Sequence, residues 1–99
     1  MIKFMSSIPE FYIENDDASS VYNTEGFHDR IIELIENNLK GESIETTLCH
    51  LIAEDGTIMV ADLPRNSYEK SIMRSMQFYV ENENYEMCNK IKNLIEQIK

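Results

Sequence analysis

Glycine is scarce in this chain, and Gly26, Gly41 and Gly56 each stand alone. A phosphate-cradling loop or a nucleophile elbow needs closely spaced glycines, so neither can be built from them. Cysteine is as sparse. Cys49 and Cys88 are too few for a secreted disulfide scaffold, and each falls in an otherwise apolar pattern, which points to reduced, partly buried thiols. No apolar run approaches the ~18 residues needed to span a bilayer. The start, Met1-Ile2-Lys3-Phe4-Met5, lacks the long apolar stretch and small-residue cleavage site of a signal peptide, so the expected location is cytoplasmic. Cations are also in deficit, with 9 Lys+Arg against 18 Asp+Glu and a net charge of −9. Such a balance opposes binding to nucleic-acid phosphates or to an anionic lipid surface, both of which require Lys and Arg to neutralise charge.

What is present is the composition of a folding chain. With 99 residues, 42% hydrophobic and 27% charged, it reads as a single globular domain over 1–99 whose core is modest enough to benefit from association. The charge is unevenly spread. Met1 to Asp62 holds 13 acidic and 3 basic residues (−10), whereas Leu63 to Lys99 holds 5 acidic and 6 basic (+1). That division suggests an acidic part, 1–63, and a packing part, 66–99.

Hydrophobic periodicity supplies the elements. One or both of Ile2–Met5 and Phe11–Ile13 are short strands, followed by a polar loop through Asp16, Asp17 and Ser20. Phe27, Ile31, Leu34, Ile35 and Leu39 then recur at helical spacing, which predicts a helix over about 25–40. Asn23 or Thr24 can cap its start, and Gly41 can take the left-handed stop conformation at its end. Its outer face carries an acidic stripe that includes Asp29, Glu33 and Glu36. From Ile44 to Ala53 the period becomes alternating, with an upper half apolar on both faces. Glu54-Asp55-Gly56-Thr57 is a hairpin turn in which Gly56 takes positive φ, Ile58 to Leu63 is the partner strand, and Pro64 ends it. Asn66 and Glu69 have the spacing of a capping box that opens a helix bearing Tyr68, Ile72, Met76, Tyr79 and Val80 on one face. After Asn82-Glu83-Asn84 a second helix begins near Tyr85, with Cys88, Ile91, Leu94, Ile95 and Ile98 in register. So short a connection makes the pair antiparallel. The fold class expected is α+β: a short antiparallel sheet with one helix, followed by a C-terminal antiparallel helical hairpin.

The stretch from Met76-Gln77-Phe78-Tyr79 through Tyr85-Glu86, Cys88, Ile91 and Lys92-Asn93 to Ile95 resembles the UVR motif, the helical hairpin of the UvrB and UvrC nucleotide-excision-repair proteins. That motif opens its second helix with an aromatic-Glu pair, then small residues, a leucine or isoleucine, and Arg-Asp. This chain departs from it at Cys88 and Asn89, where the family has alanines, and at Lys92-Asn93. The resemblance implies a protein–protein contact element without a catalytic role.

Few residues offer chemistry. Cys49, His50, His28 and Cys88 are metal-ligand types, but adjacent strand residues 49 and 50 point to opposite faces and cannot share an ion, so no metal and no cofactor is expected. Cys49 and His50 fail as a nucleophile pair for the same reason, while Cys49 or Cys88 with His28 stays unconstrained by spacing and supported by nothing else. Carboxylates are abundant on solvent faces, where nothing shifts them for acid–base work, so no catalytic residue is expected and the chain is not read as an enzyme. The leading expectation is a small acidic interaction module, an adaptor or inhibitor acting on a protein with a basic surface. In size and acidity it resembles phage or mobile-element inhibitors of host nucleic-acid-binding or defence proteins. Two contact sets follow: Asp16, Asp17, Asp29, Glu33, Glu36, Glu54 and Asp55 for the acidic surface, and Phe78, Tyr79, Tyr85 and Ile91 for a hairpin that packs on a partner or on itself as a homo-oligomer. The alternative is a small-ligand-binding protein or minor enzyme using the sheet around His50.

Overall fold

The computed structural model describes residues 8–14 and 17–98. Strand β1 (Glu10–Tyr12) leads through the short helix α1 (Ser19–Tyr22) to α2 (Glu25–Leu39). Strands β2 (Thr47–Ile52) and β3 (Ile58–Asp62) follow, and then α3 (Tyr68–Glu81) and α4 (Tyr85–Ile98). The α+β class and the C-terminal helical hairpin stand as expected. The expected strand within Ile2–Met5 and the loop residue Asp16 lie outside the described residues.

The sheet is three-stranded, in the order β1-β2-β3. β2 and β3 form the expected antiparallel hairpin, but the sheet is mixed where an antiparallel one was expected, because β1 adds parallel to β2 with Phe11 opposite Leu51. A parallel pair needs a crossover, and here α1 and α2 supply it. At the turn, Gly56 has φ +90°, while Ala53 N–H donates to Thr57 O at 2.9 Å and closes the hairpin. β2 is shorter than its alternation suggests. Ile44 is 96% exposed, and Glu45 N–H donates to the Ser43 hydroxyl while Thr47 N–H donates to the Glu45 carboxylate. These local bonds hold residues 43–46 in a loop instead of a ladder.

Helix α2 lies at the centre, against β2 on one side and against α3 and α4 on the other. This explains a broader buried surface than a single stripe: besides Phe27, Ile31, Leu34 and Ile35, the residues His28, Arg30 and Ile32 are buried. Thr24 caps the start, its hydroxyl accepting from Phe27 N–H at 3.4 Å. At the end, Gly41 has φ +77°, and Glu42 N–H and Gly41 N–H reach back to Asn37 O and Asn38 O, a Schellman stop of the kind Gly41 permits. One apolar cluster, from Ile13 and Val21 through Cys49 and Leu51 to Tyr79, Cys88, Ile91 and Leu94, joins the acidic part to the hairpin.

One local expectation is corrected. The capping box at Asn66 and Glu69 does not form. Instead, a 3-10 turn over Arg65–Ser67 precedes α3, with Ser67 N–H donating to Pro64 O at 2.9 Å and no side-chain cap. That turn contains Asn66 itself, whereas a capping residue stands outside the helical turns in extended geometry. The α3–α4 connection is also a Schellman stop, with Asn84 N–H on Tyr79 O and Glu83 N–H on Val80 O, but its left-handed residue is Glu83 at φ 57°. Asn84 then caps α4 by accepting from Met87 N–H at 3.3 Å.

At the contact between α2 and the sheet, the β2–β3 register slips between Thr47 and Cys49, so Leu48 is an extra residue, a bulge. Arg30, 6% exposed, fills the gap from α2. Its Nε donates to Leu48 O at 2.8 Å, its Nη2 to Thr47 O at 2.9 Å and its Nη1 to Glu33 at 2.9 Å.

Two stability measurements follow by denaturant titration. Replacing the strained Glu83 with glycine relieves a left-handed cost of ~1–2 kcal/mol for an L side chain, offset in part by glycine's larger chain entropy, so Glu83→Gly raises unfolding free energy by about 0.5–1 kcal/mol. Arg30→Met strands one buried carbonyl, Leu48 O, and one half-buried, Thr47 O, and lowers it by about 2–4 kcal/mol, whereas Glu33→Gln, on the exposed side of the same ion pair, costs under about 1 kcal/mol. Equal losses for the two would show that the ion pair, not the carbonyl contacts, carries the joint.

Candidate interaction cleft

A cleft of about 540 Å³ opens between α3, α2 and the end of β3. Its apolar surface comes from Phe27, Ile31, Leu48 and Phe78, and it also meets Asp62, Arg74 and Glu81, all exposed. Ser71, half-buried on α3, also lines it.

The floor is organised by His28. Its Nε2 lies 2.8 Å from Tyr22 O, and a carbonyl only accepts, so Nε2 carries the proton. Nδ1, 2.8 Å from Ser75 Oγ, is then free to accept from the serine hydroxyl. The Phe78 ring stacks on the imidazole at 4.3 Å between centroids and 20° between planes. Burial lowers the His28 pKa, against the opposing effects of the Tyr22 carbonyl and of nearby Asp29, so the ring is neutral at pH 7. A serine hydroxyl bonded to an imidazole is the geometry of a nucleophile and its base. Here, however, Ser75 has no exposed surface, so its hydroxyl is closed to a substrate. The pair is a cross-link between α2 and α3.

A second cross-link lies one residue on. The wholly buried Tyr79 donates its hydroxyl to the Asp29 carboxylate. Burial, then the Asp29 bond, push the phenol pKa far up and keep it protonated. A polar cleft of about 600 Å³ beside it is lined by Asn23, Glu25, Phe78, Tyr79, Glu81, Asn82 and Asn84.

The acidic contact set is therefore dispersed, and much of it is engaged within the chain. Asp29 holds Tyr79, and Glu33 holds Arg30. Glu36 lies 3.3 Å from Lys90 of α4 and 3.8 Å from Lys40. Asp17 accepts from Ser19 N–H at 3.0 Å and Asp55 from Thr57 N–H at 2.9 Å, and these local bonds hold both carboxyls below their ordinary range. Glu54 lies with Asp55 in the exposed β2–β3 turn.

The hairpin set divides as well. Tyr79 and Ile91 have no exposed surface and build the interior, which corrects their reading as contact residues, because a group must reach the surface to meet a partner. Phe78 is half-buried in the cleft, and Tyr85 is 61% exposed at the start of α4. His50 is half-buried on the sheet face opposite Cys49 and lines neither cleft. Both cysteines are buried and free, and burial raises the Cys49 pKa. Among the described residues, no group of three or more His, Cys, Asp or Glu is placed to hold a metal ion, and no helix is long and apolar enough to cross a membrane.

Sequence reasoning missed Ser75, Arg30 and the ring pair His28–Phe78. A signal existed for Arg30, which falls between the apolar positions Phe27, Ile31 and Leu34 and so toward the buried side of α2. Comparison with known proteins adds nothing to these assignments: no family model, curated protein or solved structure matches the chain.

The protonation of His28 gives a pH signature. Its folded pKa lies below the unfolded value of ~6.5, so the unfolded chain takes up the proton first and stability declines as pH falls below ~6.5, until the folded pKa is passed. The denaturant midpoint is expected to be lower at pH 5.5 than at pH 7.5, and His28→Gln is expected to flatten the change over that interval. An unchanged slope in the variant would remove His28 as its source.

Proposed function

We propose that this chain is a small acidic protein-interaction module that acts without covalent chemistry. In this reading it takes an apolar side chain from a basic segment of its partner into the cleft beside Phe78. The observation that carries the reading is the cleft itself. It offers an apolar floor over a fixed, neutral imidazole, with two acids, Asp62 and Glu81, and one cation, Arg74, beside it. A pocket of this size suits one large side chain, and anchors of that kind supply most of the energy of small interfaces. The net charge of −9 supports steering toward a basic surface such as nucleic-acid-binding proteins display. The UVR-like stretch fits this reading, since Phe78 belongs to it and lines the cleft, while Tyr85 supplies exposed aromatic surface nearby in sequence.

The test is quantitative affinity capture from lysate with wild type and Ser71→Trp, which fills the cleft from a half-buried position and leaves the core residues intact. A stoichiometric partner is expected with the wild type. Its binding should weaken at least ~tenfold with Ser71→Trp, and should weaken as salt rises from about 0.1 to 1 M. A partner that binds both forms equally places the contact elsewhere.

A further inference from the structure

The two edges of the sheet are unlike. β1 is three residues long, follows Pro9 and carries Glu10, and shortness, proline and charge all discourage a further strand. β3 has less: its one charge, Asp62, stands at its end. It runs Ile58-Met59-Val60-Ala61-Asp62 without lysine or proline, and three successive apolar residues are open to solvent: Ile58 at 59%, Met59 at 40% and Val60 at 59%. Because successive side chains alternate, this exposure covers both faces of the strand.

The main chain is open in the same place. The Ala53–Thr57 hydrogen bond marks that facing pair as a bonded one. Alternation along the register then makes Leu51–Met59 and Cys49–Ala61 the next bonded pairs. The N–H and C=O groups of Ile58, Val60 and Asp62 are therefore directed away from β2, toward the free edge.

We propose that β3 is the self-association edge of this protein, pairing antiparallel with β3 of a second copy about a two-fold axis at Val60 to give a continuous six-stranded sheet. In that register Val60 faces Val60, Ile58 faces Asp62 of the other copy, and Met59 faces its Ala61. Each of the three outward pairs exchanges two main-chain bonds, so six form. A second copy is the occupant that the charges select. The same register brings the exposed Asp55 turn of each copy to the level of the other's exposed Arg65, giving two opposite-charge pairings around an interface whose strands carry only Asp62. Two chains of −9 repel over most of their surface, so the place where they meet must be poor in acid, and β3 is such a segment in the otherwise acidic part. Pairing also removes an exposed edge that would otherwise template aggregation.

The test is light scattering on the purified full chain at about 100 µM, a concentration that fills a dimer of micromolar affinity. A mass of twice 11.6 kDa is expected, and the dimer should persist at 1 M salt, where repulsion is screened. Persistence at high salt separates this association from the salt-sensitive capture of a basic partner, so either proposal can fail alone. Val60→Lys sets like charges directly opposite each other and should raise the dimer dissociation constant at least ~tenfold with an unchanged circular dichroism spectrum. Val60→Cys gives the register. Facing residues of a bonded pair lie about 5.5 Å apart at Cα, within the ~4.4–6.8 Å that a disulfide spans. Val60→Cys should therefore cross-link under mild oxidation, and Ile58→Cys should not. A monomeric wild type at this concentration, or a dimer that Val60→Lys leaves intact, overturns the proposal. Cross-linking of Ile58→Cys as fast as Val60→Cys overturns the register.

Discussion

The contact on which the rest of the architecture depends is the buried guanidinium of Arg30 against the bulge in β2. A bulge leaves carbonyl groups without ladder partners, and a sheet that carried one into a core would be destabilised unless those oxygens were met. Arg30 meets two of them with two of its nitrogens and neutralises its own charge on Glu33. The fork of a guanidinium suits this task, because it donates in two directions from one plane, which an ammonium cannot do. The contact fixes how α2 lies across β2. Since the hairpin packs on the other side of α2, it also fixes where α3 and α4 sit relative to the sheet. Asn38 extends the same joint, donating to Glu45 O at 2.9 Å and tying the C-terminal turn of α2 to the loop before β2.

On the far side of α2 the joint is made by side chains again. His28 with Ser75, and Asp29 with Tyr79, each place one polar member on α2 and the other on α3, while Glu36 reaches Lys90 on α4. A small core cannot specify helix placement by volume alone, and directional bonds between buried groups add that specification where all members are satisfied. Among the described residues no buried side-chain nitrogen or oxygen lacks a partner. Three carboxylates of the acidic stripe on α2, Asp29, Glu33 and Glu36, keep contact with solvent but each also bonds a group of the same chain. Their charge cannot be counted in full toward binding a partner.

The elements that were legible in the sequence are those set by local chemistry. The apolar spacing of α2, the Gly41 stop, the Gly56 turn and the Asn82–Asn84 break each depend on residues within a few positions of one another, and each is found in place. The features that were not legible depend on groups distant in the chain. β1 is a strand because β2, 40 residues on, supplies its hydrogen bonds in the Glu10–His50 register. Ser75 is buried because His28 lies against it, and nothing around Ser75 announces that partner. Tyr79 and Ile91 were placed on a contact surface because an apolar stripe on a helix reads alike whether a partner helix of the same chain or another protein covers it. The structure assigns the cover to the chain itself.

The cleft and the β3 edge arise from one geometric fact. The sheet is wider than the helical layer beneath it: Leu51 on β2 is buried, while its neighbour Met59 on the same face of β3 is 40% exposed. β3 therefore overhangs α2 and α3. Where the overhang meets α3, near Ala61 to Leu63, it roofs the cleft; where it extends beyond, it leaves Met59 open, while Ile58 and Val60 lie on the opposite, solvent-facing side of the sheet with Tyr12. A fourth strand or a further helix within the chain would cover both features, but the described chain passes from β3 directly into the hairpin. On β3 three exposed apolar residues fall in succession, Ile58, Met59 and Val60. The interior makes no such demand for cover, because among the described residues every buried polar side-chain atom already has a partner.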